Sequence, residues 1–454
     1  MQKLTIKKGY RLRMTGVPTD TITDLPDPAR VALLPEHIPH IKPRLRVAEG
    51  DPVSIGSILF EDKRDARWIF RSPGGGTVSR IRFGPRRVIQ SIVIDRPESG
   101  EEPAETFTAV DAQALADMSR EDLVAHLLEG GMWWVLRQLP FRDLPDPETP
   151  PPMILVGLDD REPFQPDPAL YLDGRADDLA FGLEVLQKLA EKGEVVAFTG
   201  HDRHTVIDRF GQHLTHVVQG IYPSEDPATV LYHLKTGPEQ NRAWYIAGQD
   251  LLALAAFLRQ GRFPIHRVVA VGGSDAPLRQ HFRARLGAPL AQLADTKQLN
   301  GDSRLIVGGV LRGFGAPPDG FMGLYETSLN ILPDGGPAEF LALYDPGFKK
   351  PSYSRVFLSK INPAQLVYTC HVQGGERACI SCMHCAGVCP VDLWPQMIHK
   401  AIHAGEVEEY LALGLLDCVE CGLCSYVCPS KIELTRGFIE AKAAYAKELA
   451  AKSE

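Results

Sequence analysis

Glycine and proline divide the chain into five stretches, and the apolar pattern changes character at each. Residues 41 to 100 carry short strand-like runs separated by turns: VAEGDPVSIGSILFEDK, WIFRSPGGGTVSRIRFG and RRVIQSIVI. Val78, Arg80 and Arg82 beside Thr77, Ile81 and Phe83 alternate imperfectly, in the manner of a strand. From about 105 to 260 strand and helix patterns take turns. MILVGL (153–158) is a short apolar run behind three prolines. Leu179, Leu183, Leu186 and Leu189 then recur at helical spacing until Gly193, and VVAF (195–198) follows as a strand. Such alternation predicts a parallel sheet with crossover helices. The linker DLPDPETPPP (143–152) is too proline-rich to be either element. From 262 to about 350, RVVAVGG (267–273) and RLIVGGVLRGFG (304–315) are apolar strands ending in glycines. Neither has the G-x-G-x-x-G spacing of a dinucleotide site, so the glycines read as tight turns. Near the end, Met397, Ile398, Ala401 and Ile402 share a helical face that stops near Gly405. Phe438, Ala441, Tyr445 and Leu449 line one face of a final helix.

Composition narrows the class. The 454 residues, 44% hydrophobic and 23% charged, suit a globular protein of about three domains. A net charge of -8 gives no electrostatic reason to expect nucleic acid as partner. No run approaches the ~18 apolar residues of a membrane span. The start, MQKLTIKKGYRLRM, lacks the apolar core of a signal peptide. A cytoplasmic location follows as the expectation.

The cysteines change the picture most. All nine lie between Cys370 and Cys428, a clustering that marks one metal-binding module rather than a disulfide framework. ACISCMHCAGVCP supplies Cys379, Cys382, Cys385 and Cys389, and DCVECGLCSYVCP supplies Cys418, Cys421, Cys424 and Cys428. Both are C-x2-C-x2-C-x3-C-P, the bacterial ferredoxin run, whose fourth cysteine ligates the other cluster. Two [4Fe-4S] clusters are therefore expected. The first takes Cys379, Cys382, Cys385 and Cys428; the second takes Cys418, Cys421, Cys424 and Cys389. Structural zinc would leave the third cysteine and the proline of each run unexplained. Redox C-x-x-C pairs do not come as eight cysteines in duplicate runs. Cys370 reads as an ordinary buried thiol, and His384 as a surface side chain or a hydrogen-bonding neighbour of a cluster. The helical patterns between and after the runs give the layout of an α-helical ferredoxin module.

Several segments carry family resemblances. Asp51-Pro52, Gly56 and Pro73-Gly74-Gly75-Gly76 resemble the biotinyl/lipoyl-type barrel sandwich, in which Lys63 could be nominated as a carrier lysine but lacks the flanking signature. GVPTDTI, EDKRDARWIFRSPGGGTVSRI, RAWYIAGQDLLALAAFLRQG, RVVAVGG and HVQGGERA resemble the NqrA component of the sodium-translocating NADH:quinone reductase (Nqr). CISCMHCAGVCPVDLWPQ and DCVECGLCSYVCPSKIEL look more like the tail of the RnfC component of the Rnf complex. The resemblance implies a multidomain α/β and β architecture. Its expected parts are an N-terminal segment with a barrel-sandwich hybrid domain (1–104), a Rossmann-like domain (105–261), a β-grasp, SLBB-like domain (262–350) and an α-helical ferredoxin domain (351–454). In flavin-carrying relatives a glycine-rich loop approaches the cofactor phosphate. The matching stretch here, EGGMWWVLRQLPFRDLP, would fill that space with Trp133, Trp134, Val135 and Leu136, so neither flavin nor NADH is expected on this chain.

The implied role is a peripheral electron-transfer subunit on the cytoplasmic face of an inner-membrane, ion-translocating Nqr/Rnf-like oxidoreductase. Its partners would be the other subunits, with quinone or a soluble ferredoxin as donor or acceptor. Two alternatives stand beside it: an Rnf-like ferredoxin:NAD or ferredoxin:quinone oxidoreductase subunit, and a docking subunit whose clusters are structural. An independent soluble dehydrogenase is less supported, since no substrate site is visible. Anaerobically purified or reconstituted protein should contain about eight iron and about eight sulfide per chain. Zinc at full occupancy without inorganic sulfide would sink the cluster assignment.

Overall fold

The computed structural model describes the whole chain except residues 98–100, 296–298, 300–301, 336–345, 354–356, 373 and 454. Gln373 of HVQGGERA and residues 336–345 of the expected β-grasp region thus lie outside the described residues. Near the N-terminus two small sheets share one core. Arg30–Leu33, Ile89–Asp95, Gly76–Phe83 and Pro52–Val53 form one; Pro43–Leu45, Ile58–Asp62 and Asp65–Arg71 form the other. Phe60 and Phe70 stack inside at 4.7 Å. The imperfect alternation around Val78 has a physical cause. The register with the neighbouring strand shifts between Val78 and Arg80 and again between Arg82 and Phe83, so bulges reset which side chains point inward. Gly76 begins this strand at φ +148, where a Cβ would stand 2.0 Å from the Asp95 carbonyl oxygen.

The middle of the chain builds a six-stranded sheet. Met153–Gly157 lies between Glu194–Gly200 and Trp244–Ala247, all parallel, with His216–Gln219 beyond Glu194–Gly200. Ile154, Leu155 and Val156 are fully buried, as strands covered on both faces require. The helix Ala176–Ala190 packs against Gly248–Gln260. It buries Leu179, Leu186 and Leu189, while Leu183 is half-buried. The N-terminal segment stitches the domains together. Gln2–Thr5 pairs in parallel with His216–Gln219, and Ile22–Asp24 pairs in parallel with Gln280–Arg285 of the next sheet.

That next sheet is mixed and also six-stranded, with His266–Gly272 between Gln280–Arg285 and Ser328–Pro333. RLIVGGVLRGFG is a hairpin rather than one strand. Ser303–Val307 turns at Gly308 (φ +87) and returns as Phe314–Ala316, leaving Leu311 and Arg312 in the loop. Among the described residues, 351–454 contain helices and no named strand. In the last helix, Leu434–Ser453, Phe438 and Ala441 are buried as expected, but Leu449 is 38% exposed.

Arg285, 1% exposed at its side chain, ties this second sheet to the barrel sandwich. Its guanidinium donates to the Pro73 carbonyl at 3.0 Å, to Asp27 at 2.9 Å and to Glu102 at 2.7 Å. Glu102 also accepts from the Gly75 N–H at 2.8 Å and from Arg96. Burial raises the Glu102 pKa, and these donors more than offset it, leaving it below the usual range. Arg285→Met removes one of the two cations, Arg285 and Arg96, that those carboxylates share. It should lower stability by about 3–5 kcal/mol, read as a fall in the urea midpoint of the body.

Candidate iron–sulfur site

The two cysteine runs fold as conformational duplicates. Ser381 and Glu420, each two residues after the first cysteine of its run, have φ 52 and 55. Met383 and Gly422, four residues after it, have φ 65 and 78; Asp392 and Lys431, past the fourth cysteine, have 54 and 59. Left-handed residues interleaved with right-handed ones turn successive backbone N–H groups inward, making the concave anion nests found at iron–sulfur sites. The short helices His384–Val388 and Leu423–Tyr426 follow at matching positions and pack on each other.

The runs also approach each other. Burial raises the pKa of Cys418 to about 12 and pushes Cys421 and Cys424 up as well, and Cys389 of the first run adds an upward push to all three. Cys389, and at Cys424 also Cys385, is therefore an electrostatic neighbour of the second-run sulfurs. At the other end the Arg377 N–H donates to the Ser430 carbonyl at 2.8 Å, and the Ser430 hydroxyl to the Ala378 carbonyl at 2.9 Å. That pairing joins the backbone just before Cys379 to the backbone just after Cys428. Among the described residues no three His, Cys, Asp or Glu side chains stand close enough to enclose one ion. The ligands of a cubane are spread over four irons, so they need not converge on one point. Soft thiolates on anion-binding loops suit an iron–sulfur cluster. The buried thiols must lose their protons when iron binds.

Polar side chains approach the sulfurs directly. The Thr435 hydroxyl lies 3.3 Å from the Cys424 sulfur. The Gln396 amide touches Cys385 at 3.3 Å and donates to the Met383 sulfur at 2.8 Å. Lys442, only 3% exposed, donates to the Cys418 carbonyl at 3.1 Å and pairs with Glu420 at 2.5 Å. The sequence reading missed all three. Lys442 had a visible signal, a lysine inside the apolar stripe of Phe438 and Ala441.

The second run is packed against the body. Tyr222 is buried and its hydroxyl donates to the Cys421 carbonyl at 2.8 Å. Arg142 donates to the Val419 carbonyl at 3.0 Å and to Asp226 at 2.9 Å. A Cβ on Gly422 would meet the Leu311 carbonyl oxygen at 2.8 Å. These contacts border the crevice past the carboxyl ends of the parallel strands, where open α/β sheets bind ligands. Ion pairs crowd it. Arg203 bridges Asp159 at 2.8 Å and Asp167 at 2.7 Å, and Arg161 pairs with Glu225 and Asp202. Arg312 reaches Glu162 at 2.7 Å, Asp226 at 2.9 Å and Asp160. Burial lifts the Glu225 pKa to about 7, against the pull of Arg161.

The remaining candidates divide. Trp133, Trp134, Val135 and Leu136 are all buried, and Trp133 meets Trp244 edge-on at 5.6 Å. Lys63 is exposed on the turn between Ile58–Asp62 and Asp65–Arg71. That turn is pinned by Arg64, which bonds Asp62 and Asp143. His384 is half-buried, its ring edge-on to Tyr353 at 5.2 Å. Cys370, expected buried, is only half-buried and lines a cavity of about 620 Å³ with Tyr368 and Tyr426. Its N–H is held by the Pro333 carbonyl at 2.8 Å, at the sheet edge beside this opening.

Family profiles match as the NqrA N-terminal barrel-sandwich hybrid domain (4–97), the NqrA second alpha/beta domain (118–263), the NQRA C-terminal (SLBB) domain (268–316) and a 4Fe-4S dicluster domain (378–432). The last span holds all eight cysteines of the two runs, which implies two [4Fe-4S] clusters. The NqrA component of the Na(+)-translocating NADH-quinone reductase of Shewanella amazonensis is 32% identical, over 95% of this chain and 96% of that one. Its counterpart from Vibrio vulnificus is 33% identical over the same shares. Among solved structures, an NAD+-reducing [NiFe]-hydrogenase in the H2-reduced state covers 75% of this chain and 69% of its own, at 11% identity and TM-score 0.38, too low to carry an argument. No helix among the described residues is long and apolar enough to cross a membrane. The chain belongs to the NqrA family of the Na(+)-translocating NADH-quinone reductase, and it carries a 4Fe-4S dicluster domain at its C-terminal end.

Proposed function

We propose that this chain is the peripheral electron-relay subunit, on the cytoplasmic face of the inner membrane, of an ion-translocating NADH:quinone reductase of Nqr/Rnf type. Its domains would span 1–104, 105–261, 262–350 and 351–454. One cluster would be held by Cys379, Cys382, Cys385 and Cys428, the other by Cys418, Cys421, Cys424 and Cys389. The observation that supports this most is the approach of the two runs, with Cys389 near the second-run sulfurs and the backbone before Cys379 bonded to the backbone after Cys428. Each cluster, when bound, takes up and gives back one electron. The chain's own part is to hold eight thiolates, shield all but Cys382 at least in part from water, and offer the Thr435 hydroxyl to the Cys424 sulfur and the Gln396 amide beside Cys385. Such outer partners set potential.

The burial of the second run under Tyr222 and Arg142 favours a second reading, in which the clusters mainly fasten the module to the body. Replacing Cys382 or Cys421 with alanine in the assembled complex separates the two. Electron flux should fall severely in either variant. A complex that assembles, lacks a cluster and turns over normally would make the clusters structural.

The chain itself should bind neither flavin nor NADH. The ion pairs of Arg161, Arg203 and Arg312 crowd the crevice a nucleotide would use, and Trp133 to Leu136 occupy the loop that a cofactor phosphate would approach. Purified chain should show no stoichiometric flavin by absorbance after acid extraction and no NADH binding by calorimetry. Stoichiometric retention of either would overturn this part of the reading.

A further inference from the structure

Resting on the relay reading above, we propose that the surface around Cys382 docks a small acidic one-electron carrier protein. Of the eight cysteines in the two runs, Cys382 is the exposed one, whereas Cys421 is buried beneath Tyr222. A partner thus has its most open approach to a ligand at Cys382 of the first cysteine run. Beside Cys382 the apolar tips of Ile380 and Met383 are 68% and 42% exposed.

Cations surround this tip. The Lys400 ammonium is 3.4 Å from the Ser381 hydroxyl, and the Arg377 guanidinium donates to the Pro429 carbonyl at 3.1 Å. On another side the N-terminal segment follows the same loop. Lys8 donates to the Ala386 carbonyl at 3.5 Å, and Tyr10 meets Tyr353, which meets His384, at 5.4 and 5.2 Å. A cavity of about 680 Å³ opens there, lined by Arg11, Arg13, Lys360 and His384; among the described residues no carboxylate lines it. Asp392 is already paired with Lys8 at 2.7 Å, and Glu376 is the other acid close by, next to His399. The chain as a whole carries -8, so this cationic face is a local arrangement rather than a consequence of composition.

An apolar centre with a charged rim is the anatomy of a transient docking site, and opposite potentials steer the encounter and fix its orientation. On contact the carrier loses one electron, and the group held by the first ligand set gains it. No bond or proton moves.

The test uses the full chain with its clusters reconstituted and a plant-type ferredoxin, an acidic protein, as probe. Binding of the oxidised probe is followed by calorimetry, and electron delivery by the reduced probe in stopped flow. Affinity should fall at least about tenfold between about 0.05 and 0.5 M salt. Arg11→Glu and Lys400→Glu should each weaken binding and slow delivery about threefold or more, with iron content and cluster midpoint potentials unchanged. Binding and rates indifferent to salt and to both reversals would overturn the docking inference alone. So would vesicles of anionic lipid that lose their affinity in both variants while the probe keeps its own, since the face would then be membrane-directed. Clusters that even dithionite cannot reduce would overturn the relay reading, and this inference with it.

Discussion

Asp226 is buried between two arginines, and three parts of the chain meet on it. Its carboxylate accepts from Arg142, which follows the Trp133 segment, at 2.9 Å and from Arg312, in the hairpin loop of the second large sheet, at 2.9 Å. It also caps the helix Pro227–Leu234 through the Ala228 N–H at 2.9 Å. Arg142 in turn reaches the Val419 carbonyl of the second cysteine run. A buried carboxylate is tolerated only when paired and fully hydrogen-bonded. Asp226 meets that condition through Arg142, Arg312 and the Ala228 N–H. Arg142, held by it, joins the cysteine module to the body at Val419 and, at 3.8 Å, at Glu420, beside the ion pair of Lys235 with Asp417.

The same contacts separate the two ends of the cysteine module. The second run sits against Tyr222, Arg142, Lys442 and Leu311, with Cys421 buried and its other cysteines half-buried. The first run is held by Gln396 and by the N-terminal segment, and one of its cysteines faces solvent. The body of the chain is that of the NqrA family, and the dicluster domain is set on it with the second run toward the body. This polarity would give the proposed relay a direction in space.

Much of this was legible in the sequence, for identifiable reasons. Periodicity found the strand Met153–Gly157 and the helix Ala176–Ala190 because each buries a regular face. The cysteine spacing was readable because a cluster fixes where its ligands stand along the chain. The hairpin inside RLIVGGVLRGFG was hidden, since Gly308 and Gly309 look like the end of a strand, not its corner. Asp226, Arg142 and Arg312 were illegible for another reason. The two arginines lie 84 and 86 residues from Asp226, and no local pattern marks a charged residue that will be buried by distant segments. Lys442 lies between these cases, its surprise written in the apolar stripe that it interrupts.

The left-handed residues of the two cysteine runs bear on what holds the cluster pockets in shape. Ser381, Met383, Asp392, Glu420 and Lys431 all carry side chains at positive φ, each a conformation that costs of order 1–2 kcal/mol. That cost is borne by contacts from outside the loops: for the second run, the body supplies Tyr222, Arg142 and the close approach of Leu311 to Gly422, so the shape of a cluster pocket is held in part by residues hundreds of positions away from its cysteines.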